Sequence, residues 1–290
     1  MAKRKDEQKR DPAPVNSEEE NQESGDDEEI VNVDFDFFDP RPDIDFQAYK
    51  NLLRQTFDAD NTLFDLSALA DLILSQSSIG STVKTDGIES DPFAFLSVIN
   101  VNANINKQPI QQVRDYLFNK TKKSEAFNTK LRALLGDDAT TTKTGIIFSE
   151  RLINMPIEVV PPMYKMLVDE MQRAIENDEP FKFDYYLIIS KSFTEIASKL
   201  DDEDEQPKKK KKSAKQSKEI FYFHAEDEII QRRSEYYLQY KFTKQGQEAD
   251  SKRTFQDYGI SPQGQLMLID AKNFTEFVEE IGSLFAVPPQ

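Results

Sequence analysis

The run Phe183-Asp184-Tyr185-Tyr186-Leu187-Ile188-Ile189-Ser190 decides the architecture. Tyr185 to Ile189 are continuously apolar or aromatic, which leaves no polar face and predicts a central strand covered on both sides. One cover lies just upstream. Pro161-Pro162 open a helical pattern over residues 163–177, with Met166, Leu167, Met171 and Ile175 facing inward and Pro180 ending it.

Downstream, strand patterns fall at residues 219–223, 236–242 and 265–269, followed by a closing helix at 273–285. Upstream, Ile44, Phe46, Tyr49, Leu52, Leu53 and Phe57 give residues 43–58 a helical spacing, with Asp43 placed as N-cap. A second helix is expected at 65–75. Strands at 79–85 and 93–101 flank an Asp86-Gly87 turn signal. Helices follow at 111–119 and 125–135, the latter closed by Gly136 in the C′ role, and then a short strand at 145–148. Helices and strands mix without strict alternation. The expected class is α+β, one domain with a mainly antiparallel sheet flanked by helices.

The chain has 290 residues, 37 Lys plus Arg against 53 Asp plus Glu, one His, and neither Cys nor Trp. Without cysteine there is no disulfide, iron–sulfur cluster or thiol nucleophile, and a reducing compartment is expected. One His excludes a His-pair metal site within a monomer. No run approaches the roughly 18 apolar residues of a membrane span, so no membrane partner is expected.

The charge is unevenly placed. Residues 1–39 carry five basic and fourteen acidic side chains, residues 201–218 carry seven and five, and the remaining 233 still net −9. Residues 1–29, basic at the start and then acidic, bury too little to fold and read as a disordered tail. From Ile30 the pattern alternates, through Asp34, Phe35, Asp36, Phe37, Phe38 and Asp39, as a short strand or an aromatic–acidic linear motif. Residues 201–218 read as a disordered loop inside the domain. Its Lys208, Lys209, Lys210, Lys211 and Lys212 form a candidate nuclear import signal.

Chemistry finds little purchase. His224 lies in Phe221-Tyr222-Phe223-His224, where alternation pairs it with Tyr222 at the edge of a sheet face, and no nucleophile elbow accompanies it. No phosphate loop can be assembled from the nine glycines. Gln256-Asp257-Tyr258-Gly259-Ile260-Ser261 approximates the coenzyme A loop of acetyltransferases, but ends in Ser and reads as a surface turn continued by Ser261-Pro262. Asp58-Ala59-Asp60-Asn61 lacks the glycine and distal Glu of a calcium loop. No cofactor or metal is expected. An acidic body repels nucleic acid and favours encounter with a cationic protein.

Several strings resemble the BCCIP family: Val31-Asn32-Val33-Asp34-Phe35-Asp36-Phe37, Asp45-Phe46 with Lys50, Leu52, Leu53 and Gln55, and Gly80-Ser81-Thr82-Val83-Lys84. The most specific is Glu150-Arg151-Leu152-Ile153-Asn154-Met155-Pro156 with Pro161-Pro162-Met163-Tyr164. The acidic leader and lysine loop suggest a fungal member.

The resemblance implies a sheet similar to that of GNAT acetyltransferases without their activity, spanning residues 30–290. It also implies a nuclear, shuttling chaperone or escort for a large-subunit ribosomal protein, in contact with import and export factors, with a lipid kinase among its export clients; the acidic body and the motif from Asp34 to Asp39 are then the candidate client-binding surface. The alternatives are a transport adaptor without chaperone activity and a coenzyme-A-dependent acetyltransferase.

Overall fold

Residues 185–195 are the middle of a mixed sheet. The structure, a computed structural model, describes residues 33–76, 78–137, 139, 141–195, 219–243 and 260–285. The expected tail at 1–29 and the lysine loop, Lys208 to Lys212 included, lie outside these residues. The chain divides into Met1–Val33 and a unit, Asp34–Gln290, that holds every element named below.

In chain order these are β1 (Asp36–Phe38), α1 (Pro42–Phe57), α2 (Leu66–Leu74), β2 (Ser81–Lys84), β3 (Ala94–Asn100), α3 (Gln108–Lys120), α4 (Glu125–Leu135) and β4 (Thr144–Arg151). Then follow α5 (Val160–Glu176), β5 (Tyr185–Glu195), β6 (Ile220–Tyr222), α6 (Glu226–Arg233), β7 (Tyr236–Tyr240), β8 (Ile260–Asp270) and α7 (Ala271–Leu284). Short 3-10 turns cover Asp58–Leu63 and Ile157–Val159.

The strand order is β1-β2-β3-β4-β5-β8-β7, with β6 added beside β5. Every described pairing is antiparallel except β4 with β5. The fold is therefore a single α+β domain with a mostly antiparallel sheet between helices.

Alternation along β5 explains its unbroken apolar run. Leu187 and Ile189 enter a core built with α1 to α4, while Tyr186 and Ile188 enter a second core built with α5, α6 and α7. Each face buries a continuous apolar layer, which supplies the main driving force for folding.

Local signals hold at several ends. Asp65 caps α2, its carboxylate accepting from Ala68 N at 3.0 Å, and proline occupies the first turn of α5.

Others are overruled. Asp43 does not cap α1. The cap is Arg41, whose N–H is held by the buried Asp45 carboxylate at 2.8 Å, because Pro42 takes the first helical position. Gly136 ends α4 as the C-cap residue itself and not as C′, with extended φ/ψ of −69° and 165°, and a Cβ there would meet Arg132 O at 2.5 Å.

The strand expected at 145–148 runs on through Ser149, Glu150 and Arg151, polar residues kept in register by β3. Ser261-Pro262 is no surface turn but the start of β8, opposite Thr194 and Phe193, because antiparallel pairing with β5 extends to Glu195↔Ile260. Helix α6 carries only Ile229 and Ile230 as apolar residues, too few for a periodic signal.

Candidate functional site

The parallel pair is where the sheet comes apart. Pairing of β4 with β5 runs from Thr144↔Tyr185 to Ile147↔Ile188 and stops. Beyond it β4 stays with β3, while β5 stays with β8 and takes β6 as a second neighbour. A split therefore opens between the carboxyl ends of β4 and β5.

The chain fills that split with its own buried charges. Glu150 Oε1 lies 3.0 Å from His224 Nε2, and Glu150 Oε2 lies 3.1 Å from Lys191 Nζ. Thr56 Oγ1 also donates to Glu150 Oε2 at 3.1 Å. Alongside, the Arg151 guanidinium makes a two-pronged contact with Glu226, its Nη2 donating to Oε2 at 2.9 Å. Asp227 Oδ2 accepts from Ser190 Oγ at 2.5 Å and from Gln265 Nε2 at 2.7 Å.

Burial alone would raise the Glu150 carboxyl, yet Lys191 and His224 outweigh it and hold it down to about 2. Burial lowers His224, but its hydrogen bond to Glu150 and the surrounding carboxylates carry it above the ordinary imidazole range. Asp227 goes the other way. Burial pushes its carboxyl up to about 7, with Glu226 adding to the effect and His224 opposing it.

This arrangement corrects the expectation for His224. The residue lies past the end of β6, in the turn before α6, and it is buried against Glu150 instead of lying at the edge of a sheet face. Its contact is with a carboxylate, and Ser190 donates to Asp227, so the Ser–His pair of a hydrolase is not assembled here. Asp60 is buried and accepts from Thr243 N and Tyr116 Oη and pairs with Lys120 at 2.7 Å, commitments that stabilise the 3-10 turn at Asp58–Leu63. Of the coenzyme-A-like string only Ile260 and Ser261 are described, both in β8.

Outside the split, the same end of the sheet exposes acids in excess of cations. β1 lies at one end of the strand order, and Asp36 faces Lys84. Asp34 and Asp36 are exposed, while Phe35 and Phe37 are half-buried against the α5 side of the core, and Phe38 packs near the Lys84 ammonium at 5.9 Å. Asp39 sits at the opposite end of β1, exposed, and contributes to raising the carboxyl of Glu170, which burial raises first. The expected motif is thus divided between core packing and two ends of a strand.

Asp43, Asp86, Glu89 and Asp91 are exposed beside Asp34 and Asp36, and Arg41 bridges Asp43 at 2.9 Å and Glu89 at 2.7 Å. Lys84 offers no surface charge. It is buried against Asp45 at 2.6 Å and donates to Ile88 O at 2.6 Å.

A shallow depression elsewhere is lined by Arg232, Arg233, Ser234, Glu235, Asp270, Lys272 and Asn273. Both arginines there are engaged by acids of α7, Arg232 by Glu280 and Arg233 by Glu276 and Glu280.

Sequence reasoning did not assemble the buried cluster. Its members come from β4, β5, the turn after β6 and α6, and the one visible hint is the polar Glu150-Arg151 ending an apolar strand.

Comparison with known proteins adds an independent line. The BCCIP family model matches residues 30–230. The chain is 46% identical over 273 residues to Protein BCP1 of Debaryomyces hansenii, covering 90% of this chain and 88% of that one. It is 45% identical over 262 residues to Protein bcp1 of Schizosaccharomyces pombe, covering 90% and 92%. Among solved structures, it is similar to the crystal structure of BCP1 from Saccharomyces cerevisiae, with a TM-score of 0.61, 30% identity, and coverage of 91% and 93%.

Proposed function

The chain belongs to the BCCIP family, and from that premise we propose that it is a non-enzymatic nuclear chaperone or escort for a basic protein client, a large-subunit ribosomal protein being the fitting class. The observation that carries this reading is the one-sided charge at the open end of the sheet. Asp34, Asp36, Asp43, Asp86, Glu89 and Asp91 are exposed there, and among the described residues Arg41 is the cation that pairs with two of them, Asp43 and Glu89. A surface of that sign accelerates encounter with a cationic protein and can shield its RNA-binding face until RNA competes for it.

The reading that it lacks an enzyme's site rests on the split. The opening where β4 and β5 part is filled by Glu150, Lys191, His224, Glu226 and Asp227, paired with one another and with Arg151, Ser190 and Gln265, which supports a reading without a ligand there. Neither the family name nor the names of the relatives denotes an activity. Import through Lys208 to Lys212, and escort of clients such as a lipid kinase out of the nucleus, extend the same proposal. They are tested by locating a fluorescent fusion with those five lysines changed to serine.

The decisive experiment is purification of the tagged full chain from nuclear extract at low and moderate salt, followed by mass spectrometry and competition with added RNA. A basic ribosomal protein recovered in stoichiometric amount and displaced by RNA is expected. Recovery of transport factors without it would favour an adaptor. Saturable binding of acetyl coenzyme A, lost on Gly259→Asp, would restore the acetyltransferase alternative.

A further inference from the structure

The loop that follows β4 shows an apolar side chain where a turn calls for a polar one. Leu152 is packed against both cores and Met155 is buried, so the segment between them is pinned at each end. Met155 N donates to Leu152 O at 3.0 Å, closing a tight turn, and Leu152 N donates to Phe93 O at 3.0 Å. Ile153 occupies the first central position of that turn and is 79% exposed. Turn tips favour Pro, Asn, Asp, Ser or Gly, and a β-branched aliphatic residue held out in water gains nothing from its own chain.

A second isoleucine lies at the same end of the sheet. β3 begins where β4 ends, Ala94 facing Arg151, so the connection from β2 to β3 and the turn after β4 are neighbours. Ile88 stands in that connection, 42% exposed. Its carbonyl is held by the buried Lys84 ammonium, Ser90 N and Oγ both donate to Gly87 O, and Arg41 ties down Glu89. Both apolar tips are therefore presented on rigid supports. Beneath them, Arg151 and Glu226 lock the base of the turn inside the split.

Glu89 and Asp91 beside Ile88, Asp43 across the Arg41 bridge and Glu158 just beyond the turn are exposed acids around these tips. An apolar centre with a charged rim is the anatomy of a protein docking patch, where the centre supplies affinity and the rim selects sign. We propose that Ile153 and Ile88 anchor a basic protein segment that sets aliphatic or aromatic side chains against these two tips and lysines or arginines against the exposed acids near them. Preorganised tips lose little entropy on binding, which favours a few strong contacts over a large area. The proposal rests on the chaperone reading above and names where its client sits.

The test uses the full chain and, as probe, the purified proteins of salt-dissociated large ribosomal subunits. Wild type, Ile153→Asp, Ile153→Ser and Ile153→Val are compared, with melting temperature as the folding control. The expected result is capture of one basic protein by wild type and by Ile153→Val, a loss of affinity of about tenfold or more for Ile153→Ser, and a larger loss for Ile153→Asp, all at unchanged melting temperature. A photocrosslinking residue at position 153 should join the chain to that same protein.

Capture that is equal for wild type and Ile153→Asp overturns the docking site while leaving the chaperone reading intact. Crosslinking only to a second copy of the chain also overturns it. Capture of nothing by wild type removes the chaperone reading itself and the docking proposal with it.

Discussion

Two regions at one end of the sheet use carboxylates in opposite ways. In the split between β4 and β5, Glu150, Glu226 and Asp227 are buried with Lys191, His224 and Arg151. A few residues away, the loop after β2, the start of α1 and the edge strand β1 expose acids in excess of cations. Charge taken out of water must be matched and hydrogen-bonded, whereas charge left in water need not be. The matched region specifies the fold, and the other leaves most of its carboxylates facing water, Arg41 pairing with Asp43 and Glu89. An overall net charge of −16 describes neither.

The largest test of that contrast removes one charge from each region. Glu150→Gln leaves Lys191 and His224 facing each other without their shared acid, and breaking a buried pair in this way costs about 3–5 kcal/mol. Urea denaturation should show it as a lower midpoint. Asp43→Asn, in the exposed region, should leave the same midpoint unmoved, since exposed ion pairs contribute little. Equal effects from the two variants would erase the distinction.

A smaller effect comes from pH. Asp227 has a folded carboxyl raised to about 7 by burial, so the native state holds its proton more tightly than the unfolded chain does. Stability from this group is therefore full at acid pH and declines as pH rises from about 4, the unfolded value, toward 7. His224 is also raised, so its contribution is present below about 6.5 and is lost as pH climbs through its folded value. Glu150 is depressed to about 2, and its contribution is lost only as pH falls below the ordinary carboxylate range of about 4. Asp227→Asn should flatten the decline between pH 4 and 7 without altering the acid limb. Thermal melts across that range would show it, and an unchanged profile would contradict the placement of Asp227.

An intermediate packing effect sharpens the account of how the sheet closes. A Cβ at Gly264 would fall 2.2 Å from the Tyr240 ring. Gly264→Ala should destabilise by about 1–3 kcal/mol through overpacking of β7 on β8. Least in size, raising salt from 50 to 500 mM should weaken client capture at the exposed acids while shifting the melting temperature little, because buried pairs are screened far less than exposed ones.

Much of the fold was legible because several segments carry their own instructions. The helices α2, α4 and α5 have apolar residues at helical spacing, and β5 has a run that is apolar throughout. Their extents matched expectation within a few residues, β5 itself running on past Ser190. The full length of β4 was hidden because Ser149, Glu150 and Arg151 look like the end of an apolar strand when read alone. α6 was missed because two isoleucines in eight residues give no period.

The site was legible to a lesser degree. The acidic excess and the exposed Asp34 and Asp36 follow from composition and alternation. That Phe35 and Phe37 turn partly inward, and that Asp39 lies at the other end of the strand, required the pairing of β1 with β2.

What the sequence by itself determined is local or additive: helical periods, the apolar centre of the sheet, the sign of the charge, the absence of thiol chemistry, and the resemblance carried by short strings. What only the tertiary structure decided is the partnership of distant polar groups. It brought Glu150 to His224 and Lys191, Arg151 to Glu226, and Ile153 to the same end as Ile88. The physical reason is that a charge or an apolar tip has no preferred partner along the chain. Its energy is set by what surrounds it once strands have paired and water has been excluded.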